Sequence, residues 1–205
     1  MKKTLIVKHT PRIDSNTLKL VDYFIELNKN KTEITILDIS ENPPDLLLGE
    51  TLNLYINRNF NGVDLTKEQM KTLAKNDKMA QQVLDSDFIV LAYPVYNFSL
   101  PANVKSWIDA VAQAGVTFTM TKNGYKGLCD EKQALVLTTS GGDFNIEPLK
   151  SMDFASPLIK TCFKFLGIEM HQVSAFGLQQ YSDKLSSILD DANQKILQIS
   201  KKWYQ

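Results

Sequence analysis

The chain has 205 residues, and its Lys and Arg residues balance its Asp and Glu residues at 23 each, so the formal net charge is zero. A balance of this kind argues against nucleic acid as the main partner. Two cysteines, Cys129 and Cys162, are too few for a disulfide framework or a zinc site, and we expect no bound metal. The sequence also lacks the ~20 consecutive apolar residues of a membrane span.

The apolar run in the amino-terminal stretch MKKTLIVKHT is too short for a signal peptide. A chain of this length most often forms one domain. We therefore expect a single cytoplasmic domain over residues 1–205 that has no membrane partner.

Short apolar runs alternate with helical patterns along the whole chain. Five runs rich in β-branched residues predict strands at 3–9, 32–39, 87–93, 133–139 and 169–176. Between them, apolar residues recur at three- and four-residue spacing, which predicts helices. This alternation predicts an α/β fold with a doubly wound parallel sheet and helices on both faces. Five strands fit the flavodoxin-like order 2-1-3-4-5.

Two segments depart from this alternation, at 41–64 and 114–128. Long irregular segments in a compact domain are usually functional or disordered. Both segments carry aromatic residues and no low-complexity sequence, so we expect ordered loops.

Open α/β sheets bind ligands outside the carboxyl ends of their strands, where the strand order reverses. In the expected order this point lies between the first and third strands, and three loops would meet there: HTPRIDSNT, YPVYNFSLP and TTSGGDFNI. The first loop offers hydroxyl and amide groups at a helix start, which suits an anion. Ser15 or Asp14 could equally serve there as a simple helix cap.

The second loop gathers aromatic residues between Pro94 and Pro101. Tyr96 and Phe98 offer flat faces and Asn97 offers polar groups, a mixture that suits a heteroaromatic ring. The alternative is that these aromatic side chains are core residues beneath the next helix. The paired glycines of the third loop would let its backbone approach a flat ligand, although such a pair alone is weak evidence. Neither GxGxxG nor GxxxxGK occurs, so the usual dinucleotide and P-loop sites are not predicted.

Longer motifs carry a family resemblance. The stretch PVYNFSLPANVKSWIDAVAQAGVTFTMTKNGYKGL and the later LTTSGGDF resemble the FMN-dependent NADH:quinone oxidoreductases, which are also called azoreductases. The stretches VKHTPRIDSNTLKLVDYF and NPP with LLLGE extend the resemblance over essentially the whole chain.

The resemblance implies bound FMN, NADH or NADPH as electron donor, and a homodimer whose partner subunit completes the site. It implies small aromatic acceptors such as quinones and azo compounds, reduced in a ping-pong relay of hydride. The implied cofactor-binding residues are His9, Thr10, Ser15, Asn16, Thr17, Pro94, Val95, Tyr96, Asn97, Phe98, Thr139, Ser140, Gly141 and Gly142. The candidate substrate contacts are Phe118, Phe60, Tyr125 and Phe144, and the segment 41–64 with Phe60 is a candidate lid over the partner subunit's site.

The chain departs from the family pattern at several positions. The first loop is one residue shorter, His9 stands where a serine is common, and Ser140 replaces an arginine. Asp143-Phe144 stands where an isoleucine-histidine pair is frequent. These differences leave the acceptor and the choice between NADH and NADPH open. The rival interpretations are a flavodoxin-type single-electron carrier and a non-catalytic protein that kept the fold.

Overall fold

The computed structural model describes residues 1–204 and has a central sheet of five parallel strands. The strands are β1 (Lys3–Lys8), β2 (Glu33–Asp38), β3 (Phe88–Pro94), β6 (Gln133–Thr139) and β7 (Glu169–Ala175). They lie in the order β2-β1-β3-β6-β7. Counted among these five strands alone, the order is 2-1-3-4-5, as expected from the sequence.

Two short strands, β4 (Phe118–Thr121) and β5 (Gly124–Gly127), pair antiparallel in a separate hairpin. The helices are α1 (Asn16–Asn28), α2 (Gly49–Asn59), α3 (Lys67–Leu84), α4 (Ala102–Val111), α5 (Ala155–Leu166) and α6 (Leu185–Trp203). No helix within residues 1–204 is long and apolar enough to cross a membrane.

The central strand β3 explains why helices cover both faces of the sheet. Its residues from Phe88 to Tyr93 are all buried, and their side chains alternate between two separate cores. Ile89 and Leu91 face the core built with α3, α4 and α5, whereas Val90 and Ala92 face the core built with α1 and α6. A strand with both faces apolar is stable only where helices cover both of them.

The segment 41–64 is not the irregular loop that the sequence predicted, because it contains helix α2. The Tyr55 hydroxyl donates to Ala112 O and accepts from Ala114 N, each at 3.2 Å. Arg58 forms a bidentate ion pair with Asp77 of α3, with its two terminal nitrogens 2.6 and 2.8 Å from the carboxylate oxygens. Hydrogen bonds and an ion pair thus hold α2 in place, since this helix has no buried apolar stripe.

The second irregular segment, 114–128, forms the hairpin of β4 and β5. Gly127 lies so close to the end of α5 that a Cβ on it would be 2.2 Å from backbone atoms of Leu166 and Gly167. Since Gly167 lies two residues before the start of β7, the base of this hairpin lies at the amino-end edge of the sheet.

Candidate functional site

A cleft of about 310 Å³ opens at the carboxyl ends of the sheet strands. Its walls come from the loops and helix starts that follow β1, β3, β6 and β7, as the rule for open α/β sheets requires. The lining residues are Pro11, Arg12, Ser15, Asn16, Pro94, Val95, Tyr96, Thr139, Ser140, Gly141, Leu178, Gln179 and Leu185. All three loops singled out from the sequence therefore meet at one place.

The first wall is the amino end of α1. Ser15 is the cap, since its Oγ accepts a hydrogen bond from Leu18 N at 3.1 Å. This confirms the capping interpretation without removing the anion one, because the first N–H groups of a helix have no partner within it. Ser15 and Asn16 face the cleft, and Arg12 is the one cationic side chain among the described residues that line it.

Two threonines stand just behind this wall. Thr10 is buried, and its Oγ1 has no hydrogen-bond partner among the described residues, although its N–H donates to Ser40 Oγ at 3.0 Å. The Thr17 and Thr139 hydroxyls lie 2.7 Å apart and join the start of α1 to the end of β6. A buried hydroxyl without a partner is costly, so the Thr10 hydroxyl is suited to a ligand oxygen.

The second wall contains a strained turn. Tyr96 and Ser99 exchange two backbone hydrogen bonds, at 3.1 and 3.0 Å, across Asn97 and Phe98. These two central residues have φ of 45° and 70°, the left-handed pair of a type I′ turn. Asn tolerates this conformation, whereas for Phe it costs on the order of 1–3 kcal/mol.

Neighbouring backbone groups hold the turn in place. Val95 N donates to Thr139 O at 2.8 Å, and Phe154 N donates to Phe98 O at 3.0 Å. As a result Tyr96 and Phe98 remain 39% and 41% exposed, so the alternative that they are core residues is wrong. Tyr93, one residue before Pro94, is fully buried and belongs to the core.

The third wall consists of two loops, one after β6 and one after β7. The loop after β7 runs along the Ser140–Gly142 backbone, with Leu178 N bonded to Ser140 O at 3.1 Å and Gln179 N bonded to Gly141 O at 3.0 Å. Sequence reasoning missed this loop, although it follows a predicted strand and therefore had to reach the same edge. It also missed Pro11 and Arg12, which lie inside a loop that it did select.

Several predicted cofactor contacts adjoin the cleft without lining it: His9, Thr10, Thr17, Asn97, Phe98 and Gly142. His9 is buried with its ring edge-on to Tyr96, the centroids 5.8 Å apart, and its Nδ1 is 3.4 Å from Ser40 Oγ. Burial lowers the pKa of His9, and the negative charge of Asp38 opposes this only in part.

None of the four candidate substrate residues lines the cleft. Phe118 and Tyr125 pack against Phe165 of α5, with centroids 4.6 and 5.2 Å apart, on the hairpin whose base is at the opposite edge of the sheet. Phe60 follows α2 and contacts Tyr55. None of these three lines the cleft of its own chain, and their contact with a substrate stays a prediction. For Phe60 the expected role is that of a lid over the partner subunit's site.

Phe144 is buried between Phe98 and Phe176, at centroid distances of 6.3 and 5.5 Å. Its ring packs against the ring of Phe98 in the strained turn. Phe144 does not line the cleft, and its contact with a substrate stays a prediction.

The sheet order and the position of the cleft define a flavodoxin-like protein, and the model of the flavodoxin-like fold family matches residues 2–199. The FMN-dependent NADH:quinone oxidoreductase of Vibrio parahaemolyticus is 34% identical over 199 residues, which is 96% of this chain and 98% of that protein. The protein of the same name from Shewanella loihica is 34% identical over 97% of this chain and 99% of its own length.

A crystal structure of an azoreductase from Bacillus anthracis superposes with a TM-score of 0.89 at 27% identity, covering 98% of this chain and 100% of that one. The chain belongs to the family of the FMN-dependent NADH:quinone oxidoreductases.

Replacement of Phe98 tests the left-handed turn. Phe98→Gly and Phe98→Ala both remove the ring, so their difference reports the backbone alone. At φ of 70° we expect the glycine variant to be more stable by about 1 kcal/mol, the reverse of the usual preference. Urea unfolding of both variants measures this difference, and an alanine variant of equal or greater stability would contradict the geometry.

The pH dependence of stability tests the environment of His9. A folded-state pKa below the ordinary 6.5 means that the unfolded chain binds more protons in this range. Stability should then be fully present above pH 6.5 and fall as the pH drops towards the folded pKa of His9. We expect His9→Gln to flatten this part of the curve of unfolding free energy against pH. A variant whose curve keeps the wild-type slope would show that His9 does not cause it.

Proposed function

We propose that the chain is an FMN-dependent oxidoreductase that passes hydride from NADH to quinones or azo compounds. The relatives described above, which are FMN-dependent NADH:quinone oxidoreductases, support this activity. The observation that carries it is one cleft in which a strained aromatic turn faces a helix amino end and a glycine-containing wall.

The residues present fit FMN. The start of α1 and Arg12 would hold its phosphate, with the unpartnered Thr10 hydroxyl as a further donor. The loop from Pro94 to Phe98 would lie along its ring, and Thr139 to Gly142 along its polar edge. Bound FMN would supply the two-electron chemistry between a reduced nicotinamide and an acceptor.

The chain itself supplies position and shielding. NADH gives up a hydride and becomes NAD⁺; a quinone takes up that hydride and one proton from water and becomes the quinol. The half-exposed Tyr96 and Phe98 offer apolar faces to either flat molecule. Because donor and acceptor would need the same space, we propose that NAD⁺ leaves before the acceptor enters, which is a ping-pong scheme. NADPH remains a second donor to be tested.

We further propose a homodimer whose partner subunit closes the cleft. Large apolar side chains are exposed on three segments: Leu48 and Phe60 around α2, Tyr125 on the hairpin, and Phe154 before α5, each more than half exposed. Exposed apolar side chains mark an interface where they form a contiguous patch, and a homodimer would cover them. A second copy could bring its Phe60, Phe118 or Tyr125 to a cleft that these residues do not reach in their own chain.

We also propose that residues 1–205 act as one FMN-binding unit, since a single sheet extends from Lys3 to Ala175 and α6 packs back onto it. The cytoplasmic location stays a prediction from the sequence.

Anaerobic mixing of the FMN-loaded protein with NADH tests the proposed activity. We expect loss of the visible flavin absorbance, its return on addition of a quinone, and parallel double-reciprocal plots across quinone concentrations. NADPH in place of NADH measures the choice of donor. A flavin that NADH does not bleach would contradict the enzyme and favour a single-electron carrier, and intersecting plots would contradict the ping-pong order.

Light scattering tests the assembly. We expect a particle of twice the 23.2 kDa chain mass, and partial dissociation of Tyr125→Asp, since a charge would be placed in an apolar interface. Lys122→Asp, on the exposed tip of the same hairpin, is the polar control. A particle of 23.2 kDa at every concentration would contradict the dimer.

A further inference from the structure

We propose that Gln179 is a contact for the cofactor, with its carboxamide bonded to the hydroxyls of the FMN ribityl chain. The inference rests on the proposed function, since it assumes that the cleft holds FMN. Gln179 lies in the loop after β7, outside the three loops whose sequence suggested a site.

The backbone of Gln179 is fixed while the end of its side chain is free. Its N–H is bonded to Gly141 O at 3.0 Å, and both residues line the cleft. Neither Oε1 nor Nε2 of Gln179 takes part in a hydrogen bond with the rest of residues 1–204. The adjacent Gln180 differs, because its Oε1 accepts from Asp143 N at 2.9 Å and its Nε2 donates to the Tyr181 hydroxyl. Of this pair, only Gln179, whose side chain is exposed, has a carboxamide without a partner among residues 1–204.

Gly141 makes room for that carboxamide. A Cβ on Gly141 would lie 2.5 Å from Gln179 Oε1, 3.0 Å from its Cδ and 3.3 Å from its Cγ. Gly141 is not among the glycines with positive φ, so its backbone does not require glycine. The atoms that this Cβ would meet belong to the far end of the flexible Gln179 side chain, which can move aside. Alanine at position 141 would therefore displace the carboxamide while leaving the turn in place.

The position of Gln179 selects the part of FMN that it contacts. Arg12, Ser15 and Asn16 of the phosphate wall line the same cleft as Val95, Tyr96 and Gly141 of the ring-binding loops. The cleft thus joins the phosphate end to the ring-binding loops, and the ribityl chain of FMN lies between its phosphate and its ring. A carboxamide both donates and accepts, and so do hydroxyls. A neutral amide also adds no repulsion towards a phosphate.

Titration of the cofactor-free protein with FMN, followed by flavin fluorescence, tests the contact. We expect Gln179→Ala and Gly141→Ala each to raise the Kd for FMN about fivefold to tenfold, as for one or two hydrogen bonds between neutral groups. The double variant should be no worse than either single variant, because both remove the same contact. Riboflavin, which has the same chain without the phosphate, should lose affinity by the same factor.

Gln194→Ala is the matched control, an exposed glutamine of α6 that does not line the cleft, and it should bind as wild type does. Melting temperatures of the cofactor-free variants separate lost contacts from lost folding. If wild type binds FMN and Gln179→Ala binds it equally well, the contact is refuted and the proposed function stands. If Gly141→Ala weakens binding by the same factor in the Gln179→Ala background, Gly141 acts by itself and the inference is likewise overturned. A wild-type chain that binds no FMN would refute the proposed function itself.

Discussion

The site depends on a turn that the chain would not adopt by itself. Asn97 and Phe98 are both held at positive φ, and hydrogen bonds from Phe154 N to the turn and from Val95 N to β6 keep the loop in place. The loop is anchored on β3, which is buried from Phe88 to Tyr93. Strain of this kind persists only where the surrounding structure over-determines it, and it concentrates at functional sites. The rigid core of the sheet thus keeps two aromatic rings at the surface.

The cleft itself follows from the winding of the sheet. β1 and β3 are neighbours, but α1 packs on one face with α6, whereas α4 packs on the other with α3 and α5. The chain leaving β1 and the chain leaving β3 therefore turn apart and leave a gap between them. The amino end of α1 lies at one side of this gap and the strained turn at the other. The sheet topology thus places a helix amino end and an aromatic loop side by side.

Hydrophobic periodicity and the residues at the strand ends predicted the sheet and the position of the cleft. The five sheet strands, the switch point and three of the four cleft loops are confirmed, because runs of β-branched residues mark each strand. Helix α2 was missed since only Leu54 of it is buried, so it shows no apolar stripe. Positive φ at Asn97 and Phe98 was not predictable either, because neither residue is glycine. Gln179 and Arg12 carry no motif; only their position in three dimensions identifies them.

Calorimetric titration of the cofactor-free chain with FMN measures whether the cleft binds this cofactor. We expect saturable binding of one FMN per chain, together with a melting temperature that rises as free FMN increases. The absence of saturable heat together with an unchanged melting temperature would contradict it, whatever the chain's resemblance to its relatives.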